Sequence, residues 1–139
     1  MNIIALLETL VNGLLETEEN FFSNPRDIYA LEKATKATTD AVAAMFMSNV
    51  LSSMDEKIYN CGYREGRYNV QRKGKRSLVS SVGDITFDCT YYKRLFGKGG
   101  YVSLLEEMMG LSKHERFTEE AEVMMLTEAL KTSYSEAAK

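Results

Sequence analysis

The run Leu78-Val-Ser-Ser-Val-Gly-Asp-Ile-Thr-Phe-Asp-Cys-Thr-Tyr-Tyr92 decides the fold of this chain. Two β-prone segments, Leu78–Val82 and Ile85–Tyr92, flank Gly83-Asp84, a two-residue turn whose glycine tolerates positive φ. Pairing Val82 with Ile85 puts Ile85, Phe87, Cys89 and Tyr91 on one face with Leu78 and Val82. Thr86, Asp88, Thr90 and Tyr92 then face the other way, and Arg76 lies across from Tyr91. A slip of one residue would reverse every side chain. Just upstream, Arg67–Arg72 reads as a further strand with Tyr68 and Val70 on one side, closed by the turn signal Lys73-Gly74. The expectation is a small antiparallel hairpin or three-stranded sheet.

Helices stand on both sides of it. Ile3, Leu6, Leu7, Leu10, Val11, Leu14 and Leu15 recur at spacings of three and four, the mark of an amphipathic helix running to about Asn20. Asn24-Pro25 then reads as an N-cap followed by proline at the first helical position. From there to Cys61 there is neither Pro nor Gly. Val42, Phe46, Val50, Met54 and Ile58 step by four, so a second, long helix is expected. Gly62 would be its C′ residue, and its wide apolar face should be buried on more than one side. Downstream of Phe96-Gly-Lys-Gly-Gly100, a loop, Ser103-x-x-Glu106 is a capping box opening a short helix that Gly110 ends. Thr118 caps a last helix. The strands and helices are segregated, which makes the class α+β. One domain over 1–139 is expected: a helical part over 1–62, basic antiparallel strands over 63–98, and a helical part over 101–139.

Charge divides along the same lines. Ten Lys/Arg and three acids fall between Lys57 and Lys98, giving that segment +7 while the rest carries −10. The formal total of −3 thus hides a basic centre between acidic arms. A phosphate chain responds to the local patch, because fields act over about 8–10 Å. Arg64, Arg67, Arg72, Lys73, Lys75 and Arg76, interleaved with Tyr63 and Tyr68, are the candidate nucleic-acid contacts, extended by Lys93, Arg94 and Lys98. A basic edge strand also blocks aggregation, and the basic centre could pair with an acidic arm.

Other chemistry finds little support. His114, the single histidine, sits among charged neighbours as a solvated loop residue. Cys61 and Cys89 match no metal or redox spacing and read as small buried hydrophobes. Glu106 and Glu107 read as a helix surface. Gly97-x-Gly99-Gly100 lacks the context and Lys-Ser/Thr ending of a phosphate loop. No cofactor, metal or catalytic residue is assigned. No signal peptide or membrane span is evident, so the cytoplasm is the expected compartment.

Lys75-Arg-Ser-Leu-Val-Ser-Ser-Val-Gly-Asp-Ile-Thr-Phe-Asp-Cys-Thr-Tyr-Tyr92, Tyr101-Val-Ser-Leu-Leu-Glu-Glu-Met-Met-Gly-Leu111 and Thr132-Ser-Tyr-Ser-Glu-Ala-Ala138 follow one another in the order of three motifs of a known family. In these stretches, and at Lys113-His-Glu-Arg116, the chain resembles the N-terminal half of bacterial insertion-sequence transposases of the ISLre family, also catalogued as an uncharacterised transposase-like family. It departs at Cys89, where the family commonly has Arg, at Ser80 or Ser81, near its usual Thr, and at Glu106, which replaces Asp. The resemblance implies an N-terminal piece of a transposase-like protein, without the later acidic, metal-dependent catalytic domain. The expected function is non-catalytic DNA binding and assembly, as a homodimer that brings two DNA ends together. The alternative is a homo-oligomerisation module without nucleic-acid binding.

Overall fold

Ser80 and Gly83, not Val82 and Ile85, close the hairpin. In the computed structural model, which describes residues 1–97 and 99–139, strand β1 (Tyr68–Ser80) pairs antiparallel with β2 (Gly83–Arg94). The turn falls on Ser81-Val82, because Ser80 Oγ donates to Gly83 O at 2.6 Å and accepts from Val82 N at 3.2 Å. Gly83 still supplies a positive φ, 115°, as the first residue of β2. The shift is even, so Leu78 keeps the same face as Ile85, Phe87 and Cys89, but Arg76 lies opposite Phe87 instead of Tyr91.

The Lys73-Gly74 turn is absent: β1 runs through it as one 13-residue strand. Gly74 sits across from Cys89 in an unbroken ladder. The irregularity comes earlier, where Val70 pairs with Tyr92 and Arg72 with Tyr91, leaving Gln71 as a bulge. An unbulged strand would put Val70 and Arg72 on one face; the extra residue sends them to opposite faces. The third strand, β3 (Tyr101–Val102), pairs with Tyr92 and Lys93. The α+β reading holds: four helices and a three-stranded antiparallel sheet, with helices at both ends of the chain.

Helices α1 (Ile3–Ser23) and α2 (Ile28–Asn60) form an antiparallel hairpin. Asn24 does not cap α2. Its N–H closes α1 on Asn20 and Phe21, and Asp27 caps α2 by accepting from Ala30 N at 2.9 Å. Gly62 stands at C′ as expected, directly after the C-cap Cys61, but without a positive φ, and it opens a short 3-10 turn, Gly62–Arg64. The second half of α2 runs along the edge of β2 that β1 leaves free. Ser48 Oγ, Ser52 Oγ and Asp55 Oδ1 accept in turn from the N–H groups of Thr86, Asp88 and Thr90, at 3.2, 2.9 and 2.9 Å. Asp55 Oδ2 also accepts from Thr90 Oγ1 at 2.6 Å.

Ile58, Leu78, Ile85, Phe87, Cys89, Tyr92, Leu104 and Leu105 form the core, with Met47, Leu51, Met54, Tyr68 and Val70 packed against it. Three methionines, Met47, Met54 and Met109, and three tyrosines, Tyr68, Tyr91 and Tyr92, help to fill this small interior. The capping box and Gly110 behave as expected: Ser103 caps α3 (Leu104–Met109), and Gly110 ends it at φ 71°. Thr118 caps α4 (Glu119–Ala137). Only Ala121 of α4 is buried. Phe46 and Val50 on α2 are exposed, so its face is not covered on every side within one chain. Among the described residues no helix is long and apolar enough to cross a membrane.

Candidate nucleic-acid interface

Cations along the 3-10 turn and β1 sit on tyrosine rings. The Arg64 guanidinium lies 4.7 Å from the centre of Tyr59, and Lys73 Nζ lies 4.1 Å from the same ring. Arg67 covers Tyr63 at 4.6 Å, and Arg72 covers Tyr91 at 4.4 Å. A ring face attracts the cation and orients it while leaving its N–H edges free to donate. Arg64 is also tied down by Nε, which donates to Tyr59 O at 2.6 Å. The bulge at Gln71 is what brings Arg72 over Tyr91.

The predicted contacts divide into three groups. Arg67, Arg72, Lys73 and Lys93 are exposed, and among the described residues they have no carboxylate partner; half-buried Arg64 has none either. Lys75 pairs with Asp88 at 3.5 Å and Arg94 with Glu107 at 3.0 Å, both at the surface. Such exposed pairs hold weakly, by about 0–1 kcal/mol, and open readily to a competing phosphate. Arg76 stands apart. It forms an ion pair with Glu106, each side chain only 9% exposed. Its Nη2 donates to Ser112 O at 2.7 Å and Glu115 O at 2.8 Å. Arg76 is therefore a structural clasp, not a surface cation. Lys98 lies outside the described residues.

Glu106 is correspondingly not the helix surface that the sequence suggested; it is buried. Cys89 is buried as expected, but Cys61 is exposed. Cys89 Sγ lies 3.1 Å from Ser103 Oγ and 3.7 Å from Glu106 Oε1. Burial pushes its thiol above the ordinary value, against the lowering effect of the Ser103 bond. Burial likewise raises Tyr91 and Tyr92. His114 is exposed.

The sequence reading missed Tyr59 and Tyr91 as cation platforms. Tyr59 sits five residues before Arg64, and its role depends on the 3-10 turn folding Arg64 back. Beside it opens a cleft of about 500 Å³ lined by Ser52, Asp55, Glu56, Tyr59, Lys73 and Asp88. Lys73 therefore shares the cleft with three carboxylates, Asp55, Glu56 and Asp88, whose charge disfavours an anion inside it.

Relatives are known by sequence. The chain is 25% identical over 124 residues to a protein of Caldanaerobacter subterraneus subsp. tengcongensis whose name, UPF0236 protein, joins eleven designations, and the match covers 89% of this chain and 26% of that protein. It is 26% identical over 136 residues to UPF0236 protein TTE2489 of the same organism, covering 94% of this chain and 29% of that protein. The chain thus spans about a quarter of the length of the curated relatives it matches. No solved structure matches it. The model of the uncharacterised protein family UPF0236 matches residues 22–139, and the chain belongs to that family.

Proposed function

We propose that this domain binds the phosphate backbone of DNA, as the non-catalytic DNA-binding and assembly part of a transposase-like protein. The observation that carries the reading is the seating of Arg64, Arg67, Arg72 and Lys73 on tyrosine faces without a carboxylate partner. Cations held this way donate to phosphates at little cost in side-chain freedom, and each phosphate neutralised releases counterions. Lys93 extends the track, with Lys75 and Arg94 recruited when their surface pairs open; Arg76 is not part of it. Backbone contacts position a protein without reading sequence. The resemblance of three ordered stretches to motifs of ISLre-type transposases supports the wider reading. So does the relative whose name joins eleven designations in one strain, the multiplicity that an element copying itself within a genome leaves behind.

Fluorescence anisotropy of a labelled duplex across a salt series tests this. Binding should weaken with salt at a slope of about −0.9 per phosphate contact. Absence of binding at low salt would overturn it. The second reading, a homo-oligomerisation module without nucleic-acid binding, draws on the apolar side chains exposed on α1 and α4, among them Leu7, Val11, Leu126 and Leu130.

A further inference from the structure

Helix α1 carries two apolar stripes, and its own chain covers only one. Leu6, Leu10, Gly13 and Thr17 face α2; Gly13 lies so close to Thr38 that an added Cβ would stand 2.5 Å from its methyl carbon. About 120° around the helix, by 100° per residue, lie Ile4, Leu7, Val11, Leu14, Leu15 and Phe22, with Glu18 the one charged residue among them. They are 67, 54, 50, 39, 57 and 70% exposed. The first four follow a 3-4 spacing, that of a helix–helix seam.

We infer that this second stripe is the seam of a homodimer in which two α1 helices pack antiparallel, with the two-fold axis at Val11. The inference rests on the dimer expected of the assembly reading. Two observations select a second copy and this orientation. Six large apolar side chains are left bare along one face of α1, an exposed run that the same face of a second copy covers. The charge on α1 is also lopsided. All four of its charged residues are acids, and three, Glu16, Glu18 and Glu19, lie in its second half. A parallel pair would set these against their copies. An antiparallel pair sets them beside the partner's amino end, whose first turn has no acid and whose helix dipole is positive. Leu7 then meets Leu15 of the second copy, Val11 meets its own copy, Ile4 lies beside Glu18, and Phe22 stands past the partner's first turn.

Single cysteines in a Cys61→Ser background test the arrangement, read by oxidative cross-linking together with sedimentation. Val11→Cys should cross-link into a dimer. Ile4→Cys should not, since its two copies would stand about 20 Å apart, against the roughly 7 Å limit for a disulfide. Val11→Glu should give a monomer with an unchanged circular dichroism spectrum, because the site is exposed within one chain. Equal cross-linking at Ile4 would overturn the orientation. A dimer that survives Val11→Glu would overturn the seam while leaving the dimer intact. A monomeric parent chain would overturn both.

Discussion

Arg72 and Arg76 lie four residues apart on one strand and serve different ends. The ladder between them is regular, so both project to the face of Phe87, Cys89 and Tyr91; there Arg76 meets Glu106 of α3, while Arg72, further along, lies over Tyr91 and open to solvent. Composition could not separate them. What decides is which end of that face α3 covers, and Glu106 arrives thirty residues later. Removing one member of a buried pair strands the other, so Arg76→Ala should cost about 3 kcal/mol, roughly 10 °C in Tm. Arg72→Ala should leave Tm within about 2 °C, weaken duplex binding and lower the salt slope by about 1. Equal Tm losses in the two variants would refute the division. The buried thiol gives a second residue-level expectation. Cys89, Tyr91 and Tyr92 are all raised in the folded state. The folded protein therefore holds these protons when the unfolded chain has released them. Stability should be level below about pH 9 and fall above it as the unfolded chain ionises first. A native thiol titration should count Cys61 alone, and both cysteines once unfolded; a Cys89 that reacts natively would show that its burial is misjudged.

Among the elements, α2 governs how the sheet is finished. A free strand edge invites aggregation, and Ser48, Ser52 and Asp55 cover that of β2 by accepting three successive N–H groups. Their spacing of four and three was visible in the sequence, but so is that of many polar stripes. Nothing local says that a strand edge, thirty-five residues downstream, will lie against them. Periodicity and caps were legible because they depend on neighbours: the helices, Ser103, Gly110 and Thr118 are where the pattern puts them. Asn24-Pro25 misled because Asn24 was already committed to ending α1. Lys73-Gly74 misled because a continuous partner strand overrides a weak turn preference. Asp55→Ala should cost about 2–3 kcal/mol by leaving the Thr90 N–H and hydroxyl buried without a partner. Ser48→Ala, at a more exposed amide, should cost under about 1 kcal/mol. Urea unfolding would rank them, and amide exchange at Thr90 should accelerate in the first variant only. Val50, once expected in the interior, is 40% exposed, so Val50→Asp should leave the single chain folded while Ile58→Asp should not. Loss of the native spectrum in Val50→Asp would place that face against a partner required for folding.

At the scale of the whole molecule, charge and apolar surface are segregated, and salt acts on them in opposite directions. The basic segment, +7 between Lys57 and Lys98, is concentrated on the 3-10 turn and the hairpin, while α1 and α4 expose acids and bare apolar stripes. This division was the most legible property of the sequence, because net charge by segment needs no register. What it left open was which cations remain free. If the basic centre of one copy met an acidic arm of another, self-association would collapse with salt as steeply as DNA binding does. If association runs through apolar seams, it should persist or tighten, because salt screens charge over a few ångströms without weakening burial. Raising salt from roughly 0.05 to 0.5 M should therefore release a labelled duplex by a factor on the order of 10³ or more, while the sedimentation coefficient stays that of the same oligomer. Joint loss of DNA and oligomer would favour basic–acidic pairing between copies, and the tyrosine-seated cations would then be read as contacts with another subunit and not with phosphate.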